Sequence, residues 1–400
     1  MLAHAFAWCM LAATGLAAPV EVNALLARLG DADLLLAHDP RTARPVRVLL
    51  ATRVAAPAEQ VRQMLLTPAS YGKAMPSFER VEVVSRRMHE RARTDLQVAW
   101  ELEVPLWNLE GKLWLQPRND GVDLQLAEGD FAPGLFHVTA RADKESGPRR
   151  SILTIEGYAN VRDANVATRQ LVKRSRLAEP AMTVAAAYVM LKSLARLAEN
   201  GALARPTAPL LAPEPFSLDG NQTARAASLR SRSVTVVAAI RSRPDGRLGR
   251  VEVALPISTK AVKALGADPS AQVFASLPGW KKVMKAGKAP AVCTDPAAPC
   301  WAVETDLPLF SLDGTWKVRQ RPWRARMVTG DRTGALLGID VRPSASPTGA
   351  LLVLSEHPRL DRAGYVTRKL IAAEPYLEHG LALALTLIDG VSILSALESR

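Results

Sequence analysis

The sequence predicts an α+β fold made twice over, each copy a run of antiparallel strands closed by a long helix. Three observations carry this. First, Val104-Pro-Leu-Trp-Asn-Leu-Glu-Gly111 returns 203 positions later as Leu307-Pro-Leu-Phe-Ser-Leu-Asp-Gly314. Met75-Pro-Ser-Phe-Glu-Arg-Val81 reappears as Leu277-Pro-Gly-Trp-Lys-Lys-Val283 at an offset of 202, and Glu179-Pro180 as Glu374-Pro375 at 195. Three collinear matches in one order mark a tandem duplication. Second, the repeated stretch alternates apolar with polar residues. Third, the period becomes helical towards the end of each copy.

The alternation is that of a strand with one buried face. Trp107, Leu109, Gly111, Leu113 and Leu115 share one parity, answered in the second copy by Phe310, Leu312, Gly314, Trp316 and Val318. The opposite parity reads Asn108, Glu110, Lys112 against Ser311, Asp313, Thr315, Lys317, which a solvated face accepts. Pro105 and Pro308 lack an amide donor and belong at a strand start or edge, and Gly111 and Gly314 suggest a bend in a strongly curved sheet.

Taken in order, residues 19 to 44 form a leading arm with a short helix through Val22, Leu25, Leu26 and Leu29, then a turn at His38-Asp39-Pro40. Val46 to Val54 is rich in strand formers. In Ala56-Pro-Ala-Glu-Gln-Val61, a Pro and an acidic residue near the first turn start a helix running to about Leu66. After Thr67-Pro68, Tyr71 and Met75-Pro76, a series of strands follows: one beginning at Val81 to Val84, then Leu96 to Val104, Trp107 to Leu115, Val122 to Leu126, Phe136 to Ala140 and Ile152 to Tyr158. Asn119-Asp120-Gly121 is the clearest hairpin turn. From Asn165 to Glu199 the period is helical, with Pro180 expected to kink or restart it. Residues 201 to 230, with few bulky apolar side chains, read as a linker. The second copy repeats the plan: strands at Val234 to Ile240 and Val251 to Ile257, helical turns over 258 to 277, strands through Leu354, and a final apolar helix from Tyr376 to Leu397, read as a buried core helix.

Four hundred residues, 48% hydrophobic, suffice for two domains with separate cores, here 19–200 and 231–400. The formal charge is +12, and 38 of the 51 basic residues are Arg. That invites a polyanion-binding reading. The basic residues are mostly interleaved with acidic ones, however, and interleaved aromatics are too few for a nucleic-acid platform. A peripheral contact with an anionic membrane remains a secondary expectation; nucleic acid is not expected. Residues 1–18 resemble a secretory signal, with an apolar run from Ala5 to Leu16 and small residues at Gly15, Ala17 and Ala18. Export to the periplasm or medium is therefore expected, with a cytoplasmic location as the alternative. It would leave Cys293 and Cys300, which flank the turn-forming Thr294-Asp-Pro-Ala-Ala-Pro299 and are expected to form a disulfide across a hairpin between the second and third strands of the second copy.

Strand, then Ala56-Pro-Ala-Glu-Gln-Val61, then Tyr71 and Met75-Pro76, then strands and a long C-terminal helix: this order resembles the SRPBCC or START-like superfamily of polyketide cyclase and coenzyme Q-binding proteins. The resemblance covers residues 34–200 and, through the duplication, 232–398. The second copy departs from it at Ser258 to Leu265 and Ala267-Asp268-Pro269. It implies two helix-grip domains, each a curved antiparallel sheet wrapped around a long C-terminal helix with an apolar cavity between them. Ala181, Ala185, Ala186 and Ala187 would leave space on the first helix. Trp107, Leu109, Phe136, Tyr158, Met182 and Ala185 are the candidate lining residues of the first copy, and Phe310, Trp316 and Tyr376 of the second, whose bulk predicts a smaller cavity.

Catalytic signatures are missing from the sequence. There is no nucleophile elbow, phosphate-binding Gly-rich loop, His-Glu-x-x-His or Cys-x-x-Cys. His4, His38, His89, His137, His357 and His379 share no metal-ligand spacing and are expected at the surface or in turns. No cofactor or metal is expected. Glu179 and Glu374, kept in both copies, are expected to cap free amides at a helix start. Arg319, Arg324 and Arg326 are expected on a solvated strand face. The reading that follows is an exported protein that binds a lipid, quinone or other apolar small molecule. The alternatives are a cyclase or aromatase-like enzyme and a protein-interaction module with filled cavities.

Overall fold

A computed structural model describes residues 19–399 apart from 30–31, 39–46, 89–92, 105–106, 146, 162–168, 170–176, 201–233, 243–247, 266–269, 278–279, 286–298, 308–309, 321–322, 344–349, 363–364 and 375. The first half opens with helix α1 (Pro19–Leu29) and strands β1 (Asp33–His38) and β2 (Val48–Val54), then two short helices, α2 (Ala58–Leu65) and α3 (Pro68–Ala74). Six strands follow: β3 (Phe78–Met88), β4 (Thr94–Val104), β5 (Trp107–Arg118), β6 (Gly121–Gly129), β7 (Gly134–Ala142) and β8 (Ser151–Ala159). Helix α4 (Ala178–Asn200) closes the half. The second half repeats the order with β9 (Val234–Ser242), β10 (Leu248–Ile257), α5 (Thr259–Leu265), α6 (Ser270–Ser276), β11 (Trp280–Lys285), β12 (Cys300–Leu307) and β13 (Phe310–Gln320). It continues through β14 (Trp323–Gly330), β15 (Leu336–Pro343), β16 (Ala350–His357), α7 (Tyr365–Ala373) and α8 (Leu377–Glu398).

All the described strands form one antiparallel 16-stranded sheet in the order β11-β12-β13-β14-β15-β16-β10-β9-β1-β2-β8-β7-β6-β5-β4-β3. The order is a palindrome about the β1–β9 ladder, in which Leu35 faces Ala238 and Leu36 faces Val237. Of the expected turn at His38-Asp39-Pro40, Asp39 and Pro40 lie outside the described residues, and within the leading arm Leu34 to Leu36 form a central strand that was not expected. Its signal is a continuous apolar run rather than an alternation, because both faces are buried. One face joins the main core. The other, with Leu34, Leu36, Val237, Ala239 and Val353, is covered by Val22, Leu25, Leu26 and Leu29 of α1.

The separate cores expected for two domains are replaced by one. A single cluster of buried side chains includes Leu50, Val138 and Tyr188 of the first half with Val253, Leu354 and Leu394 of the second. Helix α4 packs on β2 and β8, α8 packs on β10 and β16, and the two helices pack on each other. Both are long and apolar enough to cross a membrane by length and composition, but most of each is buried inside this structure. Pro180 stands in the first turn of α4, where a missing amide costs nothing; the segment before Leu177, on which a kink or restart would show, lies outside the described residues but for 169.

The duplication is also visible in the ladders. Gly111 pairs with Gly129 and Gly314 with Gly330, and each pair lies beside a register shift, at Lys112/Leu113 and at Thr315/Trp316. Gly129 and Gly330 both take positive φ, 84° and 113°. The expected bend is thus a bulge opposite a glycine free to adopt the left-handed region. The signal-like segment 1–18 and the linker 201–230 lie outside the described residues.

Candidate ligand cavity

Inward-facing side chains of six strands of the first half, β3 to β8, stop short of the helix above them and leave a cavity of ≈ 490 Å³. Its floor includes Val98 and Trp100 on β4, Leu113 and Leu115 on β5, Leu124 on β6, Phe136 on β7 and Ala159 on β8. Space exists because α4 turns Ala181, Ala185 and Ala186 towards it, with Met182 and Met190 alongside. The remaining wall comes from the other half of the chain: Leu377, Leu381, Ala384, Leu385 and Ile388 of α8 line the same cavity. Trp100 anchors one end, stacked on Phe131 and edge-on to Phe78. It sits over Gly111, where a β-carbon would stand 2.8 Å from its Cζ2. Strand parity and the alanine run made the floor and ceiling legible in the sequence. Nothing in the sequence pointed to α8 as a wall, because the helices meet only through the palindromic sheet order.

Few polar groups face this space. Tyr71 donates its hydroxyl to the Leu65 carbonyl at 3.0 Å, and burial raises its pKa. Thr183 donates to backbone carbonyls of Ala159 and Glu179. Glu103 and Ala373 are exposed and stand at the rim. Glu374 differs from these. It is 5% exposed, lines the cavity from the turn before α8, and accepts hydrogen bonds from Ser77 Oγ at 3.3 Å and Ser193 Oγ at 3.4 Å. Burial pushes its pKa up to about 7 against three donors that favour the ionised form, Ser77, Ser193 and the Tyr376 amide. The expected capping role holds for that amide. Its twin Glu179 takes no such place: it is partly exposed in the first turn of α4.

The corresponding region of the second half holds an aromatic cluster. At the 203-residue offset, two cavity-lining side chains are replaced by larger aromatics: Val98 by Trp301 and Leu113 by Trp316. Phe274 packs 6.0 Å from Trp301, 6.1 Å from Trp316 and 5.9 Å from Trp323, ring centre to ring centre. Trp323 donates Nε1 to Ser270 Oγ at 3.1 Å. These rings take up space where a smaller second cavity was expected from the sequence.

Of the candidate lining residues, Phe136, Met182 and Ala185 line the cavity. Leu109 is buried but is not among the lining residues. Tyr158 is misplaced by one position: β8 turns Ala159 inward, and adjacent strand residues face opposite ways. Trp316 belongs to the aromatic cluster. Tyr376 packs edge-on against His379 outside the cavity. The side chains of Trp107 and Phe310 lie outside the described residues.

No family model matches this chain, and no curated protein matches it. Solved structures to which it is similar include the aromatase/cyclase Zhui from Streptomyces sp. R1128, at 16% identity and TM-score 0.30, over 38% of this chain and 92% of that one. The di-domain aromatase/cyclase StfQ from the steffimycin biosynthetic pathway is similar over 84% of this chain and 97% of its own, at 12% identity and TM-score 0.25. A START superfamily protein from Mycobacterium smegmatis is similar over 34% and 92%, at 14% identity and TM-score 0.26. At these values the likenesses carry no argument about activity. The architecture rests on this chain's own ladders: two strands, two short helices, six strands and a long C-terminal helix in each half.

Other polar clusters are structural in geometry. Asp33 accepts Tyr188 OH at 2.7 Å and Lys192 Nζ at 3.1 Å, and Thr52 Oγ1 also donates to it. Burial opposes charge on Lys192, but Asp33 beside it holds the ammonium pKa above its ordinary value. In the second half, burial and then Asp389 raise the pKa of Glu356, beside the half-buried Arg332. Two histidines expected at the surface are buried: His357 lies 2.8 Å from the Gly249 carbonyl, and His379 stacks on Tyr188. No group of three or more metal-ligating side chains occurs among the described residues. Arg324 and Arg326 are on the outer side of β14, as expected, where Arg324 makes a paired contact with Asp340 at 3.2 and 2.9 Å. Cys300 opens β12 one residue beyond the last ladder pair, Lys285 with Trp301, so the hairpin lies between the third and fourth strands of the half. Cys293 lies in the connection, outside the described residues.

Proposed function

We propose that the chain binds an apolar small molecule in the first-half cavity, between that half's sheet, α4 and α8. The carrying observation is the cavity itself: ≈ 490 Å³ is within the range of about 300–1,000 Å³ typical of small-molecule sites, and its lining is almost wholly apolar. Burial of apolar ligand surface, at about 25 cal/mol per Å², supplies the affinity. On this reading the sheet of each half curls around its C-terminal helix, one half keeps the resulting space open, and the other has filled it. A lipid chain, a quinone and a fused-ring compound all satisfy the apolar lining. Titration of the purified protein with 1-ethylnaphthalene, followed by fluorescence, tests the reading. Saturable binding that is lost when Ala186, exposed in the lining, becomes Phe is expected; absence of saturable binding would overturn it.

A second reading, chemistry on an apolar substrate, is favoured by Glu374 alone, since a carboxyl that titrates near neutrality suits general acid–base work. Likenesses to aromatase/cyclases are compatible with either reading. Export and the Cys293–Cys300 bridge belong to one proposal, because a reducing compartment would not keep the bridge. Intact-mass measurement of alkylated protein from its native compartment, before and after reduction, should show two thiols only after reduction. Two thiols alkylated without reduction would remove both.

A further inference from the structure

The first half's cavity contains a carboxyl group that belongs to the second half. Glu374 reaches it from the turn between α7 and α8, 95% of its surface buried, since 5% remains exposed. Its two oxygens are met by hydroxyls at 3.3 and 3.4 Å, long for hydrogen bonds to a carboxylate, and by one backbone amide. No cation is within ion-pair distance of it among the described residues. Three other buried acids each have a cation: Asp33 has Lys192, Asp143 has Arg53 at 3.1 Å, and Asp123 has Arg118. A carboxyl buried in an apolar wall without a counter-ion opposes folding, because its desolvation is not offset. Two weak hydroxyl contacts leave acceptor capacity on both oxygens.

We propose that Glu374 is the polar anchor of the cavity, and that the ligand is an apolar molecule carrying a hydrogen-bond donor, a hydroxyl or an ammonium group, at the end that meets Glu374 beside Ser77. The inference rests on the apolar-ligand reading above and assigns its recognition group. It also gives the duplication a role: the half whose own interior is filled by Phe274, Trp301 and Trp316 supplies both a wall and the anchor to the half that stays open. Ligand binding would then fasten the turn before α8 to α4 through Ser193, coupling the site to the contact between halves.

Three fluorescent probes of nearly equal size test this: 1-ethylnaphthalene, 1-naphthalenemethanol and 1-naphthylmethylamine, which end in a methyl, a hydroxyl and an ammonium group. Each is titrated against wild-type protein, Glu374→Leu and Glu374→Gln, and affinities are compared as ratios to 1-ethylnaphthalene within each protein. In Glu374→Leu the ratios for the alcohol and the amine should both fall about tenfold or more, the scale of a hydrogen bond to a charged group. Glu374→Gln, which keeps an acceptor oxygen without the charge, should lower the amine ratio further than the alcohol ratio. That result assigns an ammonium headgroup if only the amine exceeds 1-ethylnaphthalene in wild type, and a hydroxyl if only the alcohol does. Ratios unchanged across all three proteins would overturn the anchor while leaving the cavity reading standing. Failure of 1-ethylnaphthalene to bind wild type would instead remove the cavity reading.

Discussion

Gly380 on α8 crosses Ala185 on α4 so closely that a β-carbon on the glycine would stand 2.8 Å from the Ala185 carbonyl oxygen and 3.2 Å from its α-carbon. Only two small residues allow this, and the approach brings α8 into the wall of the first half's cavity. Gly380→Val should force the helices apart at a cost of about 1–3 kcal/mol, the range for overpacking. Chemical denaturation measures the loss, and 1-ethylnaphthalene affinity should fall with it. Unchanged stability would mean that the crossing is looser than described.

Copying the second half's side chain into the first should close the cavity. Leu113→Trp reproduces Trp316 at its equivalent position and projects from the floor. Probe affinity should drop about tenfold or more, with stability held or raised as the void fills. The reverse change, Trp316→Leu, opens space beside Phe274 and should destabilise by less than the ~3–5 kcal/mol typical of Trp→Ala truncation in a core. Equal probe binding by Leu113→Trp and wild type would contradict the assignment.

Glu374 predicts a pH dependence of definite sign. Its pKa rises from the ordinary 4.5 to about 7 in the fold, mainly through burial, so the folded state holds this proton more tightly than the unfolded chain. The stability it contributes is fully present below about pH 4.5 and is lost as pH rises through about 7. Glu374→Gln removes that term. The stability of the variant relative to wild type should therefore increase from pH 4.5 to 7.5 in urea titrations. A constant difference across that range would show that the carboxyl is better solvated than its burial implies.

Lys192 and Asp33 form a part-buried pair completed by Thr52 and Tyr188. Lys192→Met should lose about 3–5 kcal/mol, because it leaves the Asp33 charge without its partner. Adding Asp33→Asn should restore most of the loss, and a double-mutant cycle gives the coupling directly. Additive losses would show that the two side chains act independently.

What the sequence determined by itself was repetition and parity. The recurrence of Trp107 to Leu115 as Phe310 to Val318 established that the unit was built twice, and strict alternation told which side chains face inward, since successive residues of a strand must point to opposite faces. The alanines of α4 marked where space would lie, and the bulk of Trp316 marked where it would not. The strand at Leu34 to Leu36 escaped notice because a segment buried on both faces has no alternation to read. Tertiary structure alone decided that β1 pairs with β9, which joins two expected cores into one and brings α8 against α4. Nothing local could announce this. A helix's own sequence records how much of it is buried, whereas the partner that buries it is set by sheet order across 200 residues, and that order carried Glu374 from a capping position in its own half into the cavity of the other.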